Sequence, residues 1–206
     1  MKRFILIGTA VMTLVGIAVA QNTPKLALGE TIPASVTNIK MLNVTGERLS
    51  IADVKGSKGT LVIFSCNSCP WVKAWETRIA EVGNWAQKQG IGVIMINPND
   101  PAKSPEDRYE VMQQRAKERG FAFPYVVDET SDVARAFGAT HTPEFFLFDA
   151  AGKLVYTGAL DDNARDPQAV RERYVKNAIE ALLAGRPIPI AQTKSIGCTI
   201  KFREKI

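Results

Sequence analysis

The sequence predicts an α/β fold with a mixed central sheet flanked by helices. Two apolar runs, residues 60–64 and 91–96, are bounded by turn residues and have the composition of buried strands. Between them, residues 72–89 carry apolar side chains at every third or fourth position, which is typical of an amphipathic helix. This order forms a right-handed crossover with parallel strands. A later pair of strand-like segments around Gly152 adds an antiparallel hairpin.

The first twenty residues are typical of a secretory signal. Lys2 and Arg3 precede an apolar stretch, residues 4–15, and small residues at 18–20 (Ala-Val-Ala) form a cleavage site that leaves Gln21 first. The alternative is an uncleaved anchor, since the apolar stretch approaches the length that spans a bilayer. We therefore expect an exported protein, periplasmic or extracellular, without stable membrane insertion after cleavage.

Length and composition favour one globular domain after the leader. The chain has 206 residues, of which 46% are hydrophobic and 23% charged. We expect a signal at 1–20, a domain at 21–185 and a C-terminal tail at 186–206. Loss of the leader reduces the net charge from +5 to +3, which does not favour nucleic-acid binding. Three Cys and one His exclude a disulfide-dense scaffold and a zinc-finger array.

The first half of the domain begins with short strand-like segments. Residues 36–39 and 41–42 have a strand pattern before a turn at Gly46, and apolar residues at 49–54 precede the buried strand 60–64. The amphipathic helix 72–89 ends at Gly90, and the second buried strand follows at once.

The second half alternates helices and strands. A Ser-Pro-Glu-Asp sequence at 104–107 has the N-cap, proline and acidic residues that begin a helix, and Gly120 ends it. The remaining predicted elements are a strand at 123–127, a helix at 131–137 closed by Gly138, the hairpin strands 144–148 and 154–157, and a last helix from Asp166-Pro167 to Gly185.

A pair of cysteines, Cys66 and Cys69, lies between the buried strand and the amphipathic helix. A helix N-terminus stabilises a thiolate through its free N–H groups and its partial positive charge. The spacing allows the pair to alternate between dithiol and disulfide. We expect Cys66 to be the outer, attacking thiol and Cys69 the deeper, resolving one. A metal half-site and a static disulfide remain alternatives.

A second motif, His141-Thr142-Pro143, directly precedes the strand 144–148. Proline cannot donate a ladder hydrogen bond, so Pro143 marks a strand entry or edge, and it suits a cis peptide bond.

With these motifs the sequence resembles the thioredoxin-fold redoxin family, in its peroxiredoxin-like (AhpC/TSA-type) subgroup with a thioredoxin-type CxxC motif. The resemblance covers about residues 30–185. Besides the Cys66-x-x-Cys69 and Thr142-Pro143 motifs, it rests on the Phe-Phe-Leu-Phe-Asp hairpin at 145–149 and on the segment 123–138. It implies a thioredoxin fold with an N-terminal strand extension and a helical insertion near 105–119. It also implies that a cis Pro143 faces the dithiol, where Thr142 and Pro143 hold a substrate strand.

The sequence departs from the peroxiredoxin pattern Pro-x-x-x-Thr-x-x-Cys. Counted back from Cys69, the proline and threonine positions hold Val62 and Cys66. The hydroxyl that would bind a peroxide is therefore absent. A buried acid that thioredoxins have six residues before the first Cys is Thr60 here, so the sequence names no base.

Three further residues are candidates for accessory roles. His141 is a loop residue, a proton shuttle or, with Cys66 and Cys69, part of a copper site like that of metallochaperones of the same fold. Cys198 is a third relay thiol or a packing residue in a tail whose alternating apolar residues predict an added strand. Trp71 lines the rim of the dithiol or packs in the core.

The sequence therefore predicts an exported thiol–disulfide oxidoreductase that uses Cys66 and Cys69 and needs no cofactor. Its expected partners are protein thiols or disulfides and a redox partner protein. The alternatives are a thiol peroxidase centred on Cys69 and a copper-binding metallochaperone that uses Cys66, Cys69 and His141.

Overall fold

A seven-stranded mixed sheet forms the centre of the computed structural model, which describes residues 24–204. The strands are β1 (Met41–Asn43), β2 (Arg48–Leu49), β3 (Gly59–Phe64), β4 (Ile91–Asn97), β5 (Tyr125–Val127), β6 (His141–Thr142), β7 (Glu144–Asp149), β8 (Leu154–Gly158) and β9 (Cys198–Thr199). The helices are α1 (Ala34–Thr37), α2 (Pro70–Lys88), α3 (Tyr109–Arg119), α4 (Asp132–Phe137) and α5 (Tyr174–Leu183). The sheet order is β2-β1-β5-β4-β3-β7-β8, and β6 and β9 pair separately.

The predicted crossover is the centre of this sheet. β3 and β4 are parallel and in register from Gly59–Ile91 to Phe64–Ile96, while β7 pairs with β3 in the antiparallel direction. All six residues of β3 are buried, because helices cover both faces of the sheet. α2 and α5 cover one face and α1 and α4 the other, so the sheet separates two apolar cores. The prediction of a mixed α/β sheet is confirmed.

Two local predictions were wrong, one in the type of element and one in its boundary. Residues 36–39 do not form a strand: α1 ends at Thr37, and Val36 is buried in the core that α4 covers. The last helix begins at Tyr174, since Asp166 caps only a 3₁₀ turn at Pro167–Ala169 and the buried apolar face starts at Val175. Tertiary packing decides both cases, because local start signals suffice for one turn but a longer helix needs an apolar face to bury.

The helical insertion also differs from its prediction. Residues Pro105–Asp107 form a separate 3₁₀ turn, and α3 begins only after an extended Arg108. The break turns the Asp107 side chain into the interior, where it is 2% exposed. The motif that predicted a helix start therefore places a buried carboxylate instead.

The C-terminal tail returns across the domain to the N-terminus of α2. Thr193 N donates to Thr157 O at 3.0 Å, and Ile200 N donates to Thr140 O at 3.0 Å. Between these anchors β9 pairs antiparallel with β6, with Thr142 opposite Cys198. The strand predicted from the alternating tail residues is present, although it is only two residues long.

The predicted signal at 1–20 lies outside the described residues. Within residues 24–204, no helix combines the length and the apolar content needed to cross a membrane.

Asp128 supplies a prediction on pH-dependent stability. Its Oδ2 accepts the N–H of Ala134 at the start of α4, and burial raises the pKa of its carboxyl to about 6. Because the folded pKa lies above the unfolded value, the stabilising contribution is complete below about pH 4 and is lost as the pH rises through about 6. Asp128→Asn stays neutral, so we expect it to raise the free energy of unfolding at pH 7 by about 1 to 2 kcal/mol.

Urea unfolding between about pH 4 and pH 8 checks this expectation. Glu81→Gln is the control, because Glu81 is exposed on α2 and is not among the charges that shift the pKa of Asp128, so it should leave the slope between about pH 4 and 6 unchanged. An Asp128→Asn protein no more stable than wild type at pH 7 would contradict the role given to burial.

Candidate active site

The two cysteines occupy the loop that connects the central strand β3 to α2. β3 ends at Phe64 and α2 begins at Pro70, with proline at the first helical position, where its missing N–H costs no hydrogen bond. Cys69 is therefore the N-cap residue of α2, with an extended backbone at φ −71° and ψ 124°. Cys69 therefore lies at the positive end of the α2 dipole, and its side chain makes no capping hydrogen bond.

Three sulfur atoms meet at this helix end. The Sγ atoms of Cys69 and Cys198 are 2.8 Å apart, and all three cysteines are free thiols. Cys66 Sγ lies 3.0 Å from Thr142 Oγ1, and Cys69 Sγ lies 3.1 Å from the carbonyl oxygen of Thr142. The strand β6 therefore faces the dithiol, as the resemblance implied, and the Thr142–Pro143 peptide bond is cis.

Hydrogen bonds concentrate the negative charge on Cys69. As a thiol, Cys69 donates to Thr142 O and to Cys198 Sγ. As a thiolate, it can accept from the Cys66 and Cys198 thiols and from the backbone N–H groups of Val72 and Cys198. These donors outweigh burial and the nearby Thr142 carbonyl, and they lower the pKa of Cys69 to about 5. The direction of these shifts favours the thiolate on Cys69 over one on Cys66.

The other two thiols are held protonated. The pKa of Cys66 is raised well above its usual range by its hydrogen bond to Cys69, by burial and by the charge of Asp107. Burial, followed by the hydrogen bond to Cys69, raises the pKa of Cys198 to about 11. One thiolate is thus shared as an acceptor between two thiol donors.

Burial does not single out Cys66 as the outer thiol, and its role as the attacking thiol stays a prediction. Cys66 is 2% exposed and Cys69 is 1% exposed, so neither of them is outer. Because α2 begins at Pro70, Cys69 rather than Cys66 is the N-cap residue. Cys198 is the partly exposed sulfur of the three.

A buried carboxylate that the sequence did not identify as a site residue fixes the loop. Asp107 Oδ1 accepts from Asn67 N at 2.5 Å, and Oδ2 accepts from Ser68 Oγ at 2.9 Å. The same carboxylate accepts further hydrogen bonds from Ser104 Oγ, Asn97 Nδ2 and Asn99 Nδ2. In the sequence, Asp107 belongs to the Ser-Pro-Glu-Asp motif at 104–107. That motif is also typical of a helix start, so the sequence did not show that the carboxylate binds the dithiol loop.

Asn67 joins this loop to a second buried network. Tyr125 OH donates to Asn67 Oδ1 at 2.9 Å, and Arg115 Nη2 donates to Asn67 O at 3.1 Å. Arg115 in turn pairs with the buried Glu76 of α2 at 3.0 Å. The helical insertion therefore contacts the dithiol loop through Arg115 of α3.

His141 does not join the sulfur atoms. Adjacent side chains on a strand point to opposite faces, and since Thr142 contacts Cys66, His141 points away. Its Nδ1 lies 2.8 Å from Thr140 Oγ1. Among residues 24–204, no three or more His, Cys, Asp or Glu side chains are grouped to hold a metal ion. The copper alternative built on Cys66, Cys69 and His141 therefore has no site here.

Trp71 lies beside the dithiol. Its partly exposed side chain packs against the cluster of Cys66, Cys69 and Val72. The guanidinium of Arg165 stands 5.4 Å from the ring centroid of Trp71, and the ring is tilted against Trp75. Trp71 therefore lies at the rim of the dithiol and also packs against the apolar core.

Comparison with known proteins agrees with this geometry. Thiol-disulfide oxidoreductase ResA from Halalkalibacterium halodurans is 26% identical over 128 residues, which are 61% of this chain and 68% of that protein. An uncharacterized conserved protein from Geobacillus kaustophilus has a solved structure with 38% identity and a TM-score of 0.80, covering 87% of this chain and 94% of that one. The solution structure of a thioredoxin-like protein in its oxidised form, 21% identical, gives a TM-score of 0.62 over 78% of this chain and 99% of that one.

These matches bear out the fold and the class of activity expected from the sequence. The thioredoxin fold is confirmed, and the curated relatives support thiol–disulfide oxidoreductase activity. The sequence model of the AhpC/TSA family matches residues 31–157, which include the dithiol loop and the cis proline. The chain belongs to the AhpC/TSA family.

Proposed function

We propose that this protein is an exported thiol–disulfide oxidoreductase whose Cys66 and Cys69 alternate between dithiol and disulfide. The observation that carries the proposal is geometric: Cys66 and Cys69 cluster at the N-terminus of α2, and both sulfurs contact Thr142 beside the cis Pro143. The environment also lowers the pKa of Cys69 to about 5, with the contact to Cys66 as the largest cause. A thiolate of this kind is both an attacking group and a good leaving group in disulfide exchange.

The exchange runs through Cys69 in both directions. In the reduced protein the Cys69 thiolate attacks a substrate disulfide, which forms a mixed disulfide and releases one substrate thiolate. Cys66 then loses its proton and attacks Cys69 Sγ, so that the Cys66–Cys69 disulfide closes and the second substrate thiolate leaves. This transfers two electrons to a substrate disulfide. In the reverse direction the Cys66–Cys69 disulfide accepts two electrons from a substrate dithiol, and Cys69 leaves as the stabilised thiolate.

The proposed substrates are protein thiols and disulfides, with a separate redox protein to restore the pair. Residues 1–20, which have the pattern of a secretory signal, support export to a compartment in which disulfides persist. Thr142 and Pro143 border the sulfur atoms and would position the substrate chain.

Reduction of insulin disulfides by the purified protein tests the proposal. We expect Cys69→Ser to abolish the reaction. A double variant, Cys66→Ser with Cys198→Ser, lacks both thiols that could resolve a mixed disulfide on Cys69, so we expect it to stop turnover and to trap that mixed disulfide. Mass spectrometry after thiol alkylation identifies the trapped cysteine. Insulin reduction at the wild-type rate by Cys69→Ser would overturn the proposal.

A thiol peroxidase centred on Cys69 is the second candidate. Its support is the low pKa of a cysteine at a helix N-terminus, since a thiolate is the form that peroxides oxidise. Against it, Cys66 stands where the peroxiredoxin pattern has a threonine hydroxyl. Peroxide consumption that is lost in Cys69→Ser would support it, and no consumption by the reduced wild-type protein would exclude it.

A further inference from the structure

We infer that Cys198 is a third redox thiol, through which the buried Cys66–Cys69 pair exchanges electrons with its protein substrate. The inference rests on the proposed function and assigns the contact that the substrate makes. Its basis is the C-terminal tail, which brings Cys198 Sγ to 2.8 Å from Cys69 Sγ across 129 positions of sequence.

The tail is built to hold Cys198 at this place. On one side of β9, Thr193 Oγ1 accepts the N–H of Ala159 at 2.9 Å. On the other side, Ile200 is 4% exposed in the core, and Lys201 N donates to Asn99 Oδ1 at 2.8 Å. Cys198 is therefore positioned by contacts both before and after it in the chain.

Gly197 permits the close approach of the tail to the cis-proline loop. A Cβ atom at this position would lie 2.2 Å from Thr142 O and 2.7 Å from Thr142 C, both of which are backbone atoms. Since backbone atoms of a paired strand have little room to move, any side chain at 197 must displace the tail.

Access to the sulfur atoms distinguishes the three cysteines. Cys66 and Cys69 are 2% and 1% exposed beneath the docked tail, and Cys198 is partly exposed. β9 also occupies the edge of β6 on which the resemblance placed a substrate strand. A substrate that exchanges with Cys198 avoids breaking the tail contacts, whereas one that reaches Cys69 directly must first displace them.

The electrons and protons of the exchange are all accounted for by the three cysteines and a substrate dithiol. Cys198 loses its proton and attacks Cys69 Sγ of the Cys66–Cys69 disulfide, so that the Cys69–Cys198 bond forms and Cys66 leaves and takes the proton. A substrate thiolate then attacks Cys198 Sγ, and Cys69 leaves as the thiolate that its hydrogen bonds stabilise. The second substrate thiolate closes the substrate disulfide and releases Cys198. Two electrons pass to the protein, and the reverse order reduces a substrate disulfide.

Disulfide mapping and insulin reduction test this inference together. Under mild oxidation we expect Cys66→Ser to form a Cys69–Cys198 disulfide, detected by mass spectrometry of unreduced peptides. We expect Cys198→Ser to lower the rate of insulin reduction about tenfold or more while it still forms the Cys66–Cys69 disulfide. Gly197→Ala keeps all three thiols but displaces Cys198, so it should reproduce the loss. Thr199→Ala, an exposed neighbour on β9, should retain the wild-type rate.

The possible contrary results separate failure of the relay from failure of the proposed function. A wild-type or higher rate in Cys198→Ser, with Cys69→Ser inactive, overturns the relay, makes the tail a passive or obstructing cover, and leaves the proposed function intact. An active Cys69→Ser overturns the proposed function itself. Failure of Cys66→Ser to form the Cys69–Cys198 disulfide also overturns the relay.

Discussion

We expect Asp107→Ala to lower the free energy of unfolding by about 3 to 5 kcal/mol, a large effect for one side chain outside the apolar core. The carboxylate is 2% exposed and accepts hydrogen bonds from five donors, among them Asn67 N and Ser68 Oγ of the dithiol loop. Removing it relieves the cost of burying one charge, but it leaves several buried donors without an acceptor. Each of these costs about 1 to 3 kcal/mol, so the loss outweighs the relief.

Urea unfolding of the reduced protein measures this change, with Glu106→Ala as the matched control. Glu106 is the preceding residue, and its side chain is 57% exposed in an ion pair with Lys73. Exposed pairs of this kind contribute about 1 kcal/mol or less, so the control should remain close to wild type. Equal losses in the two variants would contradict the central position that we assign to Asp107.

The same substitution is expected to affect activity. Asp107 holds the backbone N–H of Asn67 and the hydroxyl of Ser68, which lie between the two cysteines. Without these contacts the loop loses the geometry that places the Cys66 thiol as a donor to Cys69. Insulin reduction should therefore fall in Asp107→Ala even at temperatures where the variant is fully folded, and a wild-type rate there would limit Asp107 to a structural role.

The second large effect concerns the thiolate of Cys69. Its pKa of about 5 is lowered first by the hydrogen bond from the Cys66 thiol. Cys66→Ala removes this donor, and we expect the pKa of Cys69 to rise by about 1 to 2 pH units. Cys66→Ser retains a hydroxyl donor at the same place, so its pKa should stay closer to that of the wild-type protein.

Ultraviolet absorbance of the thiolate, followed against pH in the reduced protein, measures this pKa. In wild type the absorbance should be lost as the pH falls through about 5, because Cys69 binds its proton there. The loss should begin at higher pH in Cys66→Ala. Cys69→Ser lacks the low-pH step and so identifies it, and identical curves for Cys66→Ala and Cys66→Ser would show that the thiol hydrogen bond does not set the pKa.

The central part of the fold was predictable because its signals are local. The apolar runs that form β3 and β4, and the three-to-four spacing of α2, follow from the periodicity of each element. The dithiol between β3 and α2 was predictable for the same reason. Short elements were less so: α1 has strand-forming residues but is helical, because Val36 packs against the core that α4 covers.

The α/β class, the crossover and the position of Cys66 and Cys69 at a strand-to-helix junction could all be predicted from local sequence patterns. The convergence of the three sulfur atoms on the N-terminus of α2 was not readable from the sequence, since it depends on the start of α2 at Pro70 and on where the C-terminal tail packs. The tertiary structure also decided that Asp107 supports the dithiol loop from 40 positions away and that Cys198 contacts Cys69. The physical reason is that these contacts depend on where distant chain segments pack and on the direction of single side chains, and neither leaves a periodic pattern in the sequence.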